Sequence, residues 1–441
     1  MSAWRVLGTM GLLLAATPVS WAQTCTLKET PQAGECFKIQ LDMKLSGEMR
    51  VRKDDKTVPI KLEASAVHEY PERILIVERD GTIEKTARLY ETAKATISVG
   101  GERGERTLRA ERRLFVAQRH KDQALVYSPS GPLTREELDL TATQFDSAAA
   151  PGVLPGKDVA VGDTWKVSSS VVQALCNFEG LTEHSLTGKL DAVTTDTATF
   201  SLSGTANGID LGAIAKLKIE ATGRFDLKTK RLVSLEWKQK DERDQGPVSP
   251  VTVVEATTTL KRQPIEQPAA LADVALVSVP SDWDAPAPMT QLDYREAQGR
   301  YSMLYPREWH ITAQVKEQLI MRCMDRGDFV AQVTLTPWKK AEKGKHMTPD
   351  EFKQAMNDMA GWEPEKELQS GEVPAENRWI YRFSSSGLMD GIAAVQNCYL
   401  LATAEGEQMI VVFTMTPKQV DKLGARDLSL VGSVEIPAST K

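Results

Sequence analysis

The sequence predicts two folded units: a mainly antiparallel β unit, an open or half barrel wrapping a short helix, and then an α+β sandwich. Three observations predict this. Apolar and polar residues alternate through most of the first 260 positions, the period of strands with one buried face. Prolines then gather between 262 and 290. Beyond them, strand patterns are interleaved with capped helical ones. A chain of 441 residues also exceeds what one ordinary core can organise. The divisions read as a leader at 1–22, the β unit at 23–261, a Pro-rich connection at 262–290 and the α+β unit at 291–437.

The leader has a positive start at Arg5, an apolar run from Val6 to Ala16, a break at Pro18, and small residues Ser20 and Ala22 before Gln23. That is the pattern of a cleaved export signal. The run falls short of the roughly 20 apolar residues that a membrane helix needs. No later segment is apolar for long enough to span a bilayer, so an extracytoplasmic protein, periplasmic or secreted, is expected after cleavage. Formal charge is −6, and losing Arg5 takes it to −7. A mildly acidic chain argues against nucleic acid as a partner, which requires a dominant basic face.

In order along the β unit, Phe37, Ile39, Leu41, Met43 and Leu45 share one face of a strand. Val58, Ile60, Leu62, Ala64 and Ala66 repeat the pattern after a turn at Asp54-Asp55. A one-residue slip would expose the whole apolar set, so register is well specified. Ile74–Val77 is a short apolar strand. From Ala87 to Val99 the alternation loosens, and a helix competes over its first half. Gly100-Gly101 reads as a hairpin turn, with further strands at Leu108–Ala117 and Ala124–Tyr127. Thr134 and Glu137 form a capping-box pattern that opens a brief helix. Ser168–Ser170 offer a cap to a second short helix around Val171–Phe178. Strands resume at Leu186, Ala198 and Leu217. The clearest hairpin joins Leu217–Phe225 to Val233–Trp237 across the polar segment Asp226–Arg231.

Proline density from Arg262 to Thr290 cannot feed a ladder and stiffens a connection, with one apolar patch at Val274–Val279. In the last third, Thr348-Pro349-Asp350-Glu351 is a strong helix start. Phe352, Ala355, Met356 and Met359 mark one helical face. Strands follow at Trp379–Phe383, Ile392–Ala402 and Met409–Met415, and apolar residues from Leu428 to Val434 suggest a closing helix.

These last elements carry a resemblance. The segment YSMLYPREW with its Tyr-Pro-x-x-Trp, the Thr-Pro-Asp-Glu helix, the long hairpin and the closing helix resemble the PsbP-like α/β/α sandwich. That resemblance implies an assembly or binding scaffold. Val159–Trp165, V-x-V-G-D-x-W followed by a β-meander, resembles uncharacterised exported bacterial β-rich proteins. Its outline is similar to the half-barrels of periplasmic lipoprotein carriers. Neither resemblance places a functional residue.

Five cysteines occur in a chain expected to meet an oxidising compartment. Cys25 with Cys36 would close a short loop, a constraint contributing about 3 kcal/mol in the chain-entropy model. Cys323 with Cys398 would bridge two strands. Cys36 with Cys176 is the rival pairing, and Cys176 otherwise reads as a buried small hydrophobe.

Chemistry has little purchase. The histidines His68, His120, His184, His310 and His346 stand at no metal-ligand spacing, and no catalytic serine motif, phosphate loop or cofactor fingerprint occurs. Neither catalytic, cofactor nor metal residues are therefore assigned. Trp165, Trp237, Trp309 and Trp379 read as core. The function expected is an exported non-catalytic binding or scaffold protein of the cell envelope, holding an apolar ligand such as a lipid in an open β unit or meeting an envelope protein partner. The alternative is a secreted hydrolase whose serine, histidine (His184 or His120) and carboxylate come together only on folding.

Overall fold

The computed structural model describes residues 24–53, 56–120, 123–142, 145–315 and 317–437. The leader at 1–22 and the turn at Asp54-Asp55 lie outside the described residues.

Strands of the first unit are β1 (Thr24–Leu27), β2 (Cys36–Lys53), β3 (Lys56–Val77), β4 (Ile83–Leu89), β5 (Thr92–Val99) and β6 (Glu102–Thr107). They continue as β7 (Leu114–His120), β8 (Gln123–Tyr127), β9 (Lys157–Ala160), β10 (Thr164–Lys166) and β11 (Gly180–His184). β12 (Thr187–Val193), β13 (Thr197–Asp210), β14 (Ala213–Asp226), β15 (Arg231–Arg243) and β16 (Val251–Ile265) complete the set. Fourteen of them form one sheet, whose path runs β10–β12–β13–β14–β15–β16–β2–β3–β4–β7–β8. β11 adds to β13, and the β5–β6 hairpin adds to β3. β10 and β8 end the path without pairing each other, so the sheet is open. β3 is long enough to serve two partners on one edge, β5 along Leu62–Glu69 and β4 along Glu72–Val77. Gly47 sits where β2 crosses β16, and a Cβ there would collide with the Val253 carbonyl, so only glycine allows the approach.

The alternation predicts most of this sheet, with local exceptions: the strand expected over Leu108–Ala117 begins only at Leu114, and Leu108–Arg113 form a loop between β6 and β7. Ile83–Leu89 and Thr92–Val99 are strands separated by Tyr90 and Glu91, and no helix forms between Ala87 and Val99. Pairing with β7 and β3 fixes both as strands. In the β14–β15 hairpin a bulge skips Val233: Phe225 faces Leu232 and Arg224 faces Ser234. Leu232, rather than Val233, therefore enters the core with Leu235 and Trp237.

One face of the sheet is lined by Phe37, Leu41, Tyr70, Phe200, Leu235 and Trp237. Against it lie α1 (Arg135–Ala142), a 3₁₀ turn (Ala150–Val153) and α2 (Ser169–Leu175), which contribute Leu138, Leu140, Val153, Val172 and Leu175 to the same core. Each such side chain gains about 2 kcal/mol from burial. The α1 capping box is formed: Glu137 N donates to Thr134 Oγ1 at 3.2 Å and Thr134 N to Glu137 Oε2 at 2.9 Å. α2 begins after Ser168, whose side chain makes no cap bond.

β16 runs to Ile265, four residues into the expected connection. The chain after it is a docked strap. Leu271 and Leu276 pack with Ala87 on the outer face of β4. Lys85 donates to the Asp282 carbonyl at 3.2 Å and Gln118 to that of Trp283 at 2.6 Å. Val274 and Val277 point outward.

Past α3 (Ala287–Thr290), the second unit holds β17 (Leu292–Arg295), β18 (Ser302–Tyr305), β19 (Trp309–Val315), β20 (Gln318–Asp325) and β21 (Asp328–Trp338). After α4 (Pro349–Asn357) come β22 (Trp362–Val373), β23 (Trp379–Met389), β24 (Ile392–Ala402) and β25 (Gln408–Met415). α5 (Val420–Leu423), α6 (Arg426–Ser433) and β26 (Val434–Glu435) close the described chain. The seven-stranded sheet is ordered β19–β20–β21–β25–β24–β23–β22. α4, opened by the Thr348–Glu351 capping box, covers one face through Phe352 and Met356. Trp309, Tyr399, Phe413 and Leu430 pack on the other.

Among the described residues the units meet at two ends. Leu133 and Leu292 form a parallel bridge, Asp293 N donates to Leu133 O at 2.8 Å, and Arg109 pairs with Asp293 at 3.7 Å. At the other end the Gly212 turn abuts Gly327, and Arg322 donates to the Pro247 carbonyl.

Candidate functional site

The lined face of the first sheet divides along its strands into a covered and an uncovered half. Covered positions include Phe37, Ile39, Leu41, Tyr70 and Ile74, each 1% exposed or less. Here the helices close the wall, and they also bury charge. Arg88 Nε donates to Glu72 Oε2 at 2.7 Å, with both side chains almost fully enclosed. Ser147 Oγ donates to the same Glu72 oxygen at 3.0 Å and meets Tyr70 Oη at 3.1 Å. Arg88 and Arg119 both reach Asp146, at 3.3 Å each. Burial opposes the Asp146 charge, but the two guanidiniums win and hold its carboxyl below the usual range. His68, beside Tyr90, stays neutral: burial first, then Arg88, pull it down to about 4. The pocket beside this network, lined by Arg88, Arg119, Asp146, Thr86, Val126 and Phe145, has a volume of about 40 Å³. That is room for a water or two. An acyl chain calls for a pocket of several hundred Å³, which this pocket does not offer.

The same face continues past the helices. Leu45, Met49 and Val51 on β2, Ile60, Leu62 and Ala64 on β3, and Ile97 and Val99 on β5 are half-buried, and Val58 is exposed. Register places them side by side: Leu45 opposite Ala64, Met49 opposite Ile60, Leu62 opposite Val99 and Ala64 opposite Ile97. The other face carries Lys44, Ser46, Glu63, Ser65, Thr96 and Ser98, which line a polar surface groove. The apolar strip extends about 20 Å along β2 at about 3.3 Å per residue. On β2, β3 and β5 its side chains are aliphatic or thioether, and register sets Thr252 opposite Met49 and Glu102 opposite Val99 at its margins.

A serine and a histidine do come together. Ser169 Oγ at the start of α2 lies 3.2 Å from His184 Nε2 on β11. No carboxylate orients the pair: among the described residues His184 Nδ1 is enclosed without a partner. Burial and then Lys166 lower the proton affinity of His184, which works against the imidazolium a general base must become. The nearest signal in the sequence is the serine run before an apolar helix, which by itself predicts only a cap.

The remaining candidates separate. All five cysteines are thiols, which corrects both expected pairings. Cys323 belongs to the core under α6 and Cys398 to the core under α4, on opposite faces of one sheet with β21 and β25 between their strands. Cys25 is held in the β1–β9 pair opposite Val159, and Cys36 Sγ donates to the Gly34 carbonyl at 3.5 Å. Cys176 is buried beside Asp241, its thiol pushed up to about 12 by burial. Trp165, Trp237 and Trp309 are core, whereas half-buried Trp379 stacks on His346 at 3.7 Å. The His120 side chain lies outside the described residues. Among those described, no group of three His, Cys, Asp or Glu fits a metal ion, and no helix is long and apolar enough to cross a membrane.

No protein-family model and no curated protein matches the chain. Solved structures similar to it include one from Bacteroides thetaiotaomicron at 10% identity and a TM-score of 0.26, over 35% of this chain and 51% of that one. Cyanobacterial PsbP from Synechocystis aligns at 11% identity and a TM-score of 0.27, over 36% of this chain and 98% of its own. The Ran-binding protein Mog1p of Saccharomyces cerevisiae aligns at 9% identity and 0.26, over 33% and 95%. This chain thus spans about half of the first of these structures. It has a weak PsbP-like resemblance over about a third of its length.

Proposed function

We propose that the chain is an exported, non-catalytic binding or scaffold protein of the cell envelope, and that its first unit receives the acyl chain of a lipid on the uncovered half of the wall. One observation carries this reading. The face that α1 and α2 close elsewhere runs on as a strip of half-buried aliphatic side chains from Leu45 to Val51 and from Ile60 to Ala64. Continuous aliphatic surface of this kind, rimmed by polar groups, favours an apolar contact. The small charged pocket under the helices does not supply one. Native mass spectrometry of the full chain, purified without detergent, is expected to show co-purifying lipid. Leu62→Asp combined with Ile97→Asp should remove it. Export is supported by the leader pattern, and amino-terminal sequencing of the extracytoplasmic protein should begin at Gln23.

A second reading rests on the Ser169–His184 pair, which favours a hydrolase. If it held, a fluorophosphonate probe would label the chain at Ser169, and Ser169→Ala would abolish the label. The lowered proton affinity of His184 supports the opposite result.

A further inference from the structure

The second unit carries a cleft of about 740 Å³ at one end of its seven-stranded sheet. That is the size of a small-molecule site. β20 pairs with β21 only as far as Leu319 opposite Leu335, so Thr336, Pro337 and Trp338 are laddered to β25 and open on the other side. The turn Gln298-Gly299-Arg300 and the residues Ile436 and Pro437 supply the remaining walls. Those walls are held in place. Glu296 fastens the turn, accepting from Gln298 N at 2.8 Å and from Arg300 Nη2 at 2.9 Å. Arg300 Nη1 reaches Glu317 at 3.1 Å. Gln408, the register partner of Trp338, is buried. Its Nε2 donates to the Lys339 carbonyl at 2.6 Å, and its Oε1 accepts from Met347 N at 2.7 Å. A site fixed in advance loses less freedom on binding.

The chemistry of the cleft selects a class of ligand. Pro337, Met409 and Trp338 give it apolar surface, and Trp338 keeps 37% of its own surface exposed. Around them stand planar polar groups, the amide of Gln298, the guanidinium of Arg300 and the carboxylate of Glu317. The charges are already matched, Arg300 by Glu296 and Glu317, and Glu407 by Lys340. Among the described charged residues lining the cleft, only the exposed Lys339 makes no ion pair, so a strongly anionic ligand has little to gain. An acyl chain would strip water from the polar groups without replacing it. A peptide added as a strand would find no N–H at Pro337, in the middle of the open edge. A pyranose ring suits both parts. It has a face of C–H groups for an indole, and hydroxyls that donate to carboxylates and accept from guanidinium and amide N–H groups. We propose that this cleft binds a neutral saccharide, with a sugar ring against Trp338 and its hydroxyls met by Gln298, Arg300 and Glu317.

The test presents the full chain with neutral oligosaccharides of glucose, galactose, mannose and N-acetylglucosamine, read by saturation-transfer NMR and calorimetry. An oligomer of glucuronate and an extended valine-rich peptide serve as comparisons. Saturable binding of at least one neutral oligosaccharide is expected, with the strongest transfer to ring C–H protons. Trp338→Ala should weaken it at least tenfold and Arg300→Gln severalfold. Trp338→Phe, which keeps an aromatic face, should bind between the parent and the alanine variant. Thermal unfolding of each variant separates loss of the site from loss of the fold, and the phenylalanine variant carries the comparison if the alanine variant melts early. No binding of any neutral oligosaccharide, a preference for glucuronate or for the peptide, or binding undiminished in both Trp338 variants would overturn the proposal.

Discussion

β2 and β3 pass through both halves of the wall with the same alternation and the same antiparallel register, yet the halves end differently. At Leu41 and Tyr70 the apolar face is sealed by α1, α2 and a charge network; at Leu45, Met49, Ile60 and Leu62 it stays half-open. Period two says which face is apolar. What lies on that face depends on segments far away in sequence, and here the helices extend over part of it only. The sealed half is packed core, and the open half leaves aliphatic surface half-exposed.

The sharpest way to break this contrast is to unbalance the sealed half. Removing one partner of the enclosed Arg88–Glu72 pair, by Glu72→Gln or Arg88→Met, should destabilise the chain by about 3–5 kcal/mol, read as a lower urea midpoint. Next is Leu41→Ala against Leu62→Ala. The first should cost about 3 kcal/mol through its cavity, the second about 1 kcal/mol or less, because Leu62 already meets solvent. Equal losses would erase the distinction between the halves.

Acid provides a third probe. His68 binds a proton near pH 4 folded and near 6.5 unfolded, so the unfolded state takes up protons first. Stability is complete above about pH 6.5 and falls as pH drops towards 4. By linkage the loss approaches about 3 kcal/mol. His68→Leu should flatten that part of the pH profile of the denaturation midpoint. A smaller effect is expected at the exposed serine: Ser169→Ala should shift stability by no more than about 0.5 kcal/mol.

Much of this was legible beforehand. The strand alternation gives the open sheet, and Thr134–Glu137 and Thr348–Glu351 each give a helix start that forms as a capping box. The strap was half visible: proline density marks a connection, but Leu271 and Leu276 docking on Ala87 depends on β4 presenting a second apolar face. The bulge that substitutes Leu232 for Val233 leaves no trace in a two-residue period. The cysteine pairings failed because spacing along strands carries no information about which face a residue takes in a sheet assembled later. Ser169 with His184 is a juxtaposition across a sequence gap that only folding closes.

The most direct test of the open half is lipid content. The full-length protein and its Leu62→Asp/Ile97→Asp variant should be purified side by side without detergent and analysed by native mass spectrometry. Bound lipid on the parent and none on an equally folded variant is the predicted result. A parent that is consistently empty, or a variant that retains the same lipid, would contradict it.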